Sequence, residues 1–122
     1  MSHIVTIQTR LRDPAAVAAA CKRLNLYAPA EGVAQLFAGA AAGLVVRLPG
    51  WRYPLVIDVL TGTLQYDNYG GSWGEPAHLD RLLQAYAVEK VRIEARAKGY
   101  SLTEQPLQDG SIRLQIHEGG PT

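Results

Sequence analysis

Two pairs of alternating runs, each broken by a glycine-bearing reversal, do most to limit what this chain can fold into. "PLVIDVL" and "TLQYD" flank Thr61-Gly62, while "YSLTEQP" and "SIRLQIH" flank Asp109-Gly110. Apolar and β-branched residues at alternate positions read as strands, and a tight reversal containing glycine joins such strands antiparallel. Parallel pairing would need a crossover of a dozen or more residues between the strands. Hairpins therefore dominate the expected sheet.

The rest of the chain supplies two helices and more strand. "HIVTIQTR", residues 3–10, alternates with β-branched residues on both sides and reads as a strand. Asp13-Pro14 then gives an N-cap followed by proline at the first helical position. Val17, Ala20, Cys21 and Leu24 recur at helical spacing, so the first helix runs to about Asn25 with Cys21 on its inner face. "VAQLF" and "GLVVRL" read as a hairpin or two neighbouring strands, and the intervening "AGAAA" is compatible with a helical turn instead. "LPGWRYP" and "NYGGSWG" are loops. Glu75-Pro76 opens a second helix whose apolar stripe is Leu79, Leu82, Leu83, Tyr86, Ala87, Val91 and Ala95. Glu94 and Lys98 are spaced for an i,i+4 pair, and Gly99 is a stop signal.

Strand, helix, several strands, helix and hairpin in that order predict an α+β fold. The expectation is an antiparallel-rich sheet, open to a mixed one, with two helices on one face. The β-α-β skeleton suggests a ferredoxin-like core elaborated with hairpins. Residues 1–117 are expected to form one domain and 118–122 a flexible tail.

The chain has 122 residues, 48% of them hydrophobic and 19% charged, with a formal net charge of +1. That balance supplies no global field for nucleic acid or an anionic membrane. The opening residues lack a secretory apolar region, and no stretch approaches the length of a membrane span. A single cysteine excludes an intramolecular disulfide and fits a reducing compartment, so the expected location is cytoplasmic.

"GGSWG" matches the G-x-S-x-G pattern of a hydrolase nucleophile, and Ser72, Asp109 and His117 complete a triad order. The nucleophile elbow needs a parallel strand-to-helix turn, whereas this chain reads as hairpins, and Asp109 is placed to cap its own turn. Ser72 is therefore read as a loop residue. His3, His78 and His117 are far apart and lack ligand-type partners at i+2 to i+4, so no metal and no cofactor are expected.

The aromatic residues carry more information. Trp51, Tyr53, Tyr66, Tyr69 and Trp73 fall within one short stretch, with Arg47, Arg52, Asp67 and Asn68 nearby. Tryptophan, tyrosine and arginine dominate binding hot spots because they bury area and keep a polar handle. Two readings are open: a structural cluster closing the sheet end over the second helix, or a recognition surface made of Arg47, Trp51, Arg52, Tyr53, Tyr66, Tyr69 and Trp73. Stacking with flanking arginines also suits single-stranded nucleic acid, but no basic run or RNP-like aromatic strand accompanies it. The basic residues of the second helix are interleaved with Asp80, Glu89 and Glu94, the pattern of a solvated face.

Four blocks, "MSHIVTIQT", "RLPGWRYPLVIDVLTGTLQYDNYGGSWG", "LDRLLQAYAVEK" and "DGSIRLQI", together resemble domain of unknown function 1257. That family includes the hypothetical chloroplast reading frame 35 proteins and has bacterial and phage members. The resemblance spans about 3–27 and 43–117, and it departs at "AEGVAQLFAGAAAG". It implies a small α+β protein without an assigned reaction, encoded near a AAA-type ATPase and acting as an accessory subunit. The expected function is thus a non-enzymatic adaptor or regulatory subunit binding a partner protein, with a nucleic-acid module and a serine hydrolase as alternatives. Exposed sheet edges leave room for a dimer.

Overall fold

A computed structural model describes residues 4–118. The strands β1 (Val5–Gln8), β2 (Ala30–Gln35), β3 (Ala40–Val46), β4 (Leu55–Asp58) and β5 (Thr63–Tyr66) form a sheet of order β1-β5-β4-β3-β2. Every pairing in it is antiparallel. Helix α1 (Pro14–Arg23) joins β1 to β2, and helix α2 (Pro76–Ala97) follows β5. Strands β6 (Ser101–Pro106) and β7 (Ile112–His117) form a separate two-stranded sheet. Two compact units divide the chain, one ending at Tyr86 and the other beginning at Ala87, a boundary inside α2. No described helix is long and apolar enough to cross a membrane.

The fold is α+β with an antiparallel sheet, but the ferredoxin-like core needs correction. In such a core the strands of a β-α-β unit enclose one strand, whereas β1 and β2 here sit at opposite edges with three strands between them. Each connection from β2 to β5 is too short to carry the chain across the sheet, so these strands form an unbroken meander. Only the open side of β5 is left for β1.

Local signals set the element ends. Asp13 Oδ1 accepts hydrogen bonds from the backbone N–H groups of Ala15 at 3.0 Å and Ala16 at 3.3 Å, satisfying two orphan donors of α1. Helix α1 closes with Leu26 N–H donating to the Cys21 carbonyl at 2.8 Å and Asn25 N–H to that of Lys22 at 3.2 Å. This is a Schellman ending with Asn25 in the left-handed position, φ 58°. Strand β1 is shorter than the expected 3–10. Thr9 turns out of the ladder, its N–H and Oγ1 both donating to the Gly62 carbonyl at 2.8 and 2.6 Å. His3 and residues 119–122 lie outside the described residues.

The reversal between β4 and β5 takes four residues, not two. Asp58 accounts for this: its carbonyl accepts from Gly62 N–H at 2.7 Å and its Oδ1 from Leu60 N–H at 3.0 Å. The turn around Asp109-Gly110 is also longer than two residues. Leu107 N–H donates to the Ser111 carbonyl at 2.9 Å, and Gly110 N–H donates to that of Leu107 at 3.1 Å.

Pairing register assigns the sheet residues to two faces. Ile7, Leu64, Ile57 and Leu44 stand opposite one another, with Leu55 and Val46 two residues along on the same face. Leu44, Val46, Leu55, Ile57 and Leu64 are all buried, as is one stripe of α1 and one of the first half of α2. The buried stripes of those helices are Ala16, Val17, Ala20 and Cys21 in α1, and Leu79, Leu82, Ala85 and Tyr86 in α2. Each side chain so buried contributes on the order of 1.5–3 kcal/mol when it is a Val, Leu or Ile. Burial also pushes the Cys21 thiol up, which keeps it protonated and inert.

The second face is covered by the sheet itself. Val56 of β4 is buried there with Ala34, Leu36 and Ala41, and Ile4, Val45 and Tyr53 pack against them. The alanine run is therefore strand, and the β2–β3 hairpin folds across β4. Gly32 and Gly43 face each other at the bend. A Cβ at Gly43 would lie 2.5 Å from the Ile57 carbonyl oxygen, so only glycine lets β3 pass this close.

In the second unit, β6 and β7 turn Leu102, Glu104, Ile112 and Leu114 to one half-buried face and Thr103, Arg113, Gln115 and His117 to solvent. Val88 and Ala95 of α2 are buried, whereas Ala87, expected in the stripe, is exposed. Arg92 pairs with Glu104 and with Glu89, tying hairpin to helix. Glu94 pairs with Lys90 at 3.3 Å instead of the expected Lys98. Lys98 is already in the terminal turn, where Gly99 and Tyr100 close the helix onto the carbonyls of Arg96 and Ala95.

The two facing glycines separate cleanly by substitution. Gly43→Ala should destabilise the protein by about 1–3 kcal/mol, because the new methyl meets fixed backbone. A Cβ at Gly32 meets nothing within 4 Å, so Gly32→Ala should be neutral or stabilising by up to about 1 kcal/mol. Urea denaturation of both variants checks this.

Candidate functional site

The loop after β5 builds the site around Trp73. Asn68 organises it: its carbonyl accepts from Gly71 N–H at 3.0 Å and Trp73 N–H at 2.9 Å, while its Nδ2 donates to the Gly74 carbonyl at 3.2 Å. Asp67 Oδ1 accepts from Tyr69 N–H at 3.4 Å. Both side chains are buried, and no buried side-chain polar atom among the described residues lacks a partner. The β3–β4 loop is bound alongside through Arg52 N–H, which donates to the Trp73 carbonyl at 2.8 Å.

The aromatic cluster expected from sequence divides into two groups with different roles. Trp51 packs edge-on against Tyr66, ring centroids 5.6 Å apart, and Tyr66 belongs to the core face of the sheet. The Trp51 Nε1–H donates to the Glu75 carbonyl at 3.0 Å, and the indole lies so close to Gly74 that any Cβ there would collide with it. Trp51 thus latches the β3–β4 loop to the start of α2. These contacts of Trp51 and Tyr66 are of the kind the structural reading of the cluster describes.

Trp73 is the hub of the second group. Tyr69 stacks on it at 4.7 Å and 24°, Tyr53 meets it edge-on at 5.7 Å, and Phe37 leans against it at 5.2 Å and 54°. The Arg52 guanidinium carbon lies 5.0 Å from the Trp73 ring centroid and 5.9 Å from that of Tyr53. Phe37 is 58% exposed and Tyr69 43%, although both touch the hub. Tyr69 also holds a left-handed backbone, φ 49°, which costs about 1–2 kcal/mol in a residue with a side chain. Its stacking on Trp73 is worth about 0.5–1.5 kcal/mol and offsets much of that strain. A strained, half-open tyrosine beside an open phenylalanine and an arginine is a surface suited to gripping another molecule.

Phe37 was not among the residues expected here. It lies at the tip of the β2–β3 hairpin, and only the fold-over brings it to Trp73. Arg47, which was expected here, lines a different groove with Leu26, Tyr27 and Leu48.

Ser72 ends a single 3-10 turn, Tyr69–Gly71, and is exposed, with its N–H donating to the Tyr69 carbonyl at 3.1 Å. Asp109 Oδ1 is taken up by the N–H and hydroxyl of Ser111. Those bonds, the hydroxyl's first, hold its carboxyl below the usual carboxylate range. His117 Nε2 lies 3.0 Å from Thr103 Oγ1. Asp109 and His117 are thus each engaged with other partners. His78 Nδ1 is 3.5 Å from an Arg81 guanidinium nitrogen. No group of three or more His, Cys, Asp or Glu among the described residues is arranged to hold a metal.

No family model, curated protein or solved structure matches this chain.

The two groups predict opposite responses. Trp51→Phe removes the indole donor and part of the latch, and should cost about 1–2 kcal/mol. Tyr69→Gly relieves backbone strain while losing the stack, so stability should stay within about 1 kcal/mol of the parent. Thermal and urea unfolding of the two variants measure the contrast.

Proposed function

We propose that this chain is a non-enzymatic adaptor or regulatory subunit that docks a partner protein through the surface around Trp73. The observation that carries the reading is the half-open hub itself: Phe37 and Tyr69 exposed on Trp73, with Arg52 over the ring. Exposed aromatics on a rigid support bind with little loss of side-chain freedom, and a guanidinium beside them adds polar selectivity. Tyr53 serves as the floor of this surface, and Trp51 and Tyr66 hold the loop that presents it. Arg47 takes no part.

The resemblance to domain of unknown function 1257 supports an accessory role, with a AAA-type ATPase system as the partner class. A buried, protonated thiol as the one cysteine fits action in the cytoplasm. A nucleic-acid partner fits less well, since among the described residues Arg52 is the one cation found over the hub rings and the chain carries a net charge of +1.

Affinity capture with the full chain tests the reading. Phe37→Ser combined with Tyr69→Gly leaves the latch intact and should reduce recovery of specific partners at least tenfold. Equal recovery by a folded double variant overturns the docking surface. Saturable binding of a short single-stranded oligonucleotide at moderate salt, measured by fluorescence anisotropy and abolished by the same substitutions, replaces the protein partner with a nucleic acid.

A further inference from the structure

Three adjoining surface depressions meet at Leu26, with volumes of about 390, 200 and 520 Å³. Their floor is apolar, formed mainly by Leu24, Leu26, Leu48 and Pro49. Every formally charged residue in the linings is basic: Arg47 in the first depression, Arg81 in the second and Lys22 in the third. His78 stands beside Arg81, and no aspartate or glutamate lines any of the three. In a chain of net charge +1 this concentration is local, not a reflection of a basic protein.

The cations are also available. Arg47 is exposed and makes no hydrogen bond or ion pair among the described residues. Arg81 has the His78 ring nitrogen at 3.5 Å and no carboxylate among the described residues. Lys22 sits in the last turn of α1, where part of its charge is spent on the helix's terminal carbonyls, so the two arginines are the stronger recognition groups. Guanidinium groups beside an apolar floor favour carboxylates, which they bind through two parallel hydrogen bonds. Tyr27, 82% exposed, stands in the same lining as Arg47 and offers an aromatic contact.

We infer that this groove binds an acidic, extended peptide segment of a protein partner, with a large apolar side chain seated on Leu26 and Leu48. The carboxylates on either side of that anchor lie on Arg47 and Arg81. Charge complementarity selects the acidic partner, and the run of three joined depressions selects a segment longer than a single small anion. None of these lining residues belongs to the Trp73 hub, so the inference stands apart from the docking surface proposed above.

The test is a ¹⁵N NMR titration of the full chain with a synthetic nonapeptide of alternating Glu and Leu. Saturable shifts are expected at residues 22–28, 47, 48, 78 and 81. Arg47→Ser with Arg81→Ser should weaken binding at least tenfold while the remaining spectrum reports an intact fold. Raising NaCl from about 50 to about 300 mM should weaken it severalfold, whereas Phe37→Ser should leave it unchanged. Absence of saturable shifts, equal binding of a Gln-for-Glu peptide, or shifts centred on Trp73 overturns the inference. Sodium glutamate producing the same shifts at the same affinity reduces the groove to a small-anion site and overturns it as well.

Discussion

The close passage of Gly43 over Ile57 is the contact on which the rest of the first unit depends. It lets the β2–β3 hairpin bend back across its own sheet, so β4 is covered on both sides. Val56 is buried by Leu36, Ala34 and Ala41, and no third layer of helix is needed. Alanines opposite one another at positions 34 and 41 keep the folded strands close. The same bend carries Phe37 to Trp73. A single approach of backbone to backbone therefore closes the second face and assembles the candidate docking surface.

The two tryptophans show how little residue type alone decides. Both lie in loops at the same end of the β4–β5 pair, and both touch tyrosine. Trp51 has its indole N–H committed to a backbone carbonyl and its ring against Gly74, so it serves the fold. Trp73 is held through its backbone by Asn68 and Arg52, which leaves its ring free to act as a platform. The division follows from which part of the residue, backbone or ring, the neighbouring chain engages.

What could be read from sequence was what closes within a few residues. The Asp13 cap, the Gly99 stop and the Asp109 turn involve partners two to five positions away, and each is found where composition placed it. The α+β class and the antiparallel sheet followed from the short reversals. Strand order did not, because the edge chosen by β1 depends on where a meander finishes. The alanine-rich stretch was ambiguous for a physical reason: small residues fit a helix or a tightly packed hairpin equally well, and Gly43 reveals its purpose only against Ile57. Phe37 was illegible for the same cause. Arg47 was grouped with the aromatics because it is near them in the chain, yet the β3–β4 loop carries it into a different groove.

The hairpin tip closes on itself, Leu36 N–H donating to the Gly39 carbonyl at 2.7 Å. Leu36 points into the sheet and Phe37 out of it, so neighbouring residues divide anchoring from display. A replacement at 37 alters what the surface presents while the anchor one position earlier keeps the tip seated. The seat of the tip and the ring it displays are consequently separable, each set by its own residue.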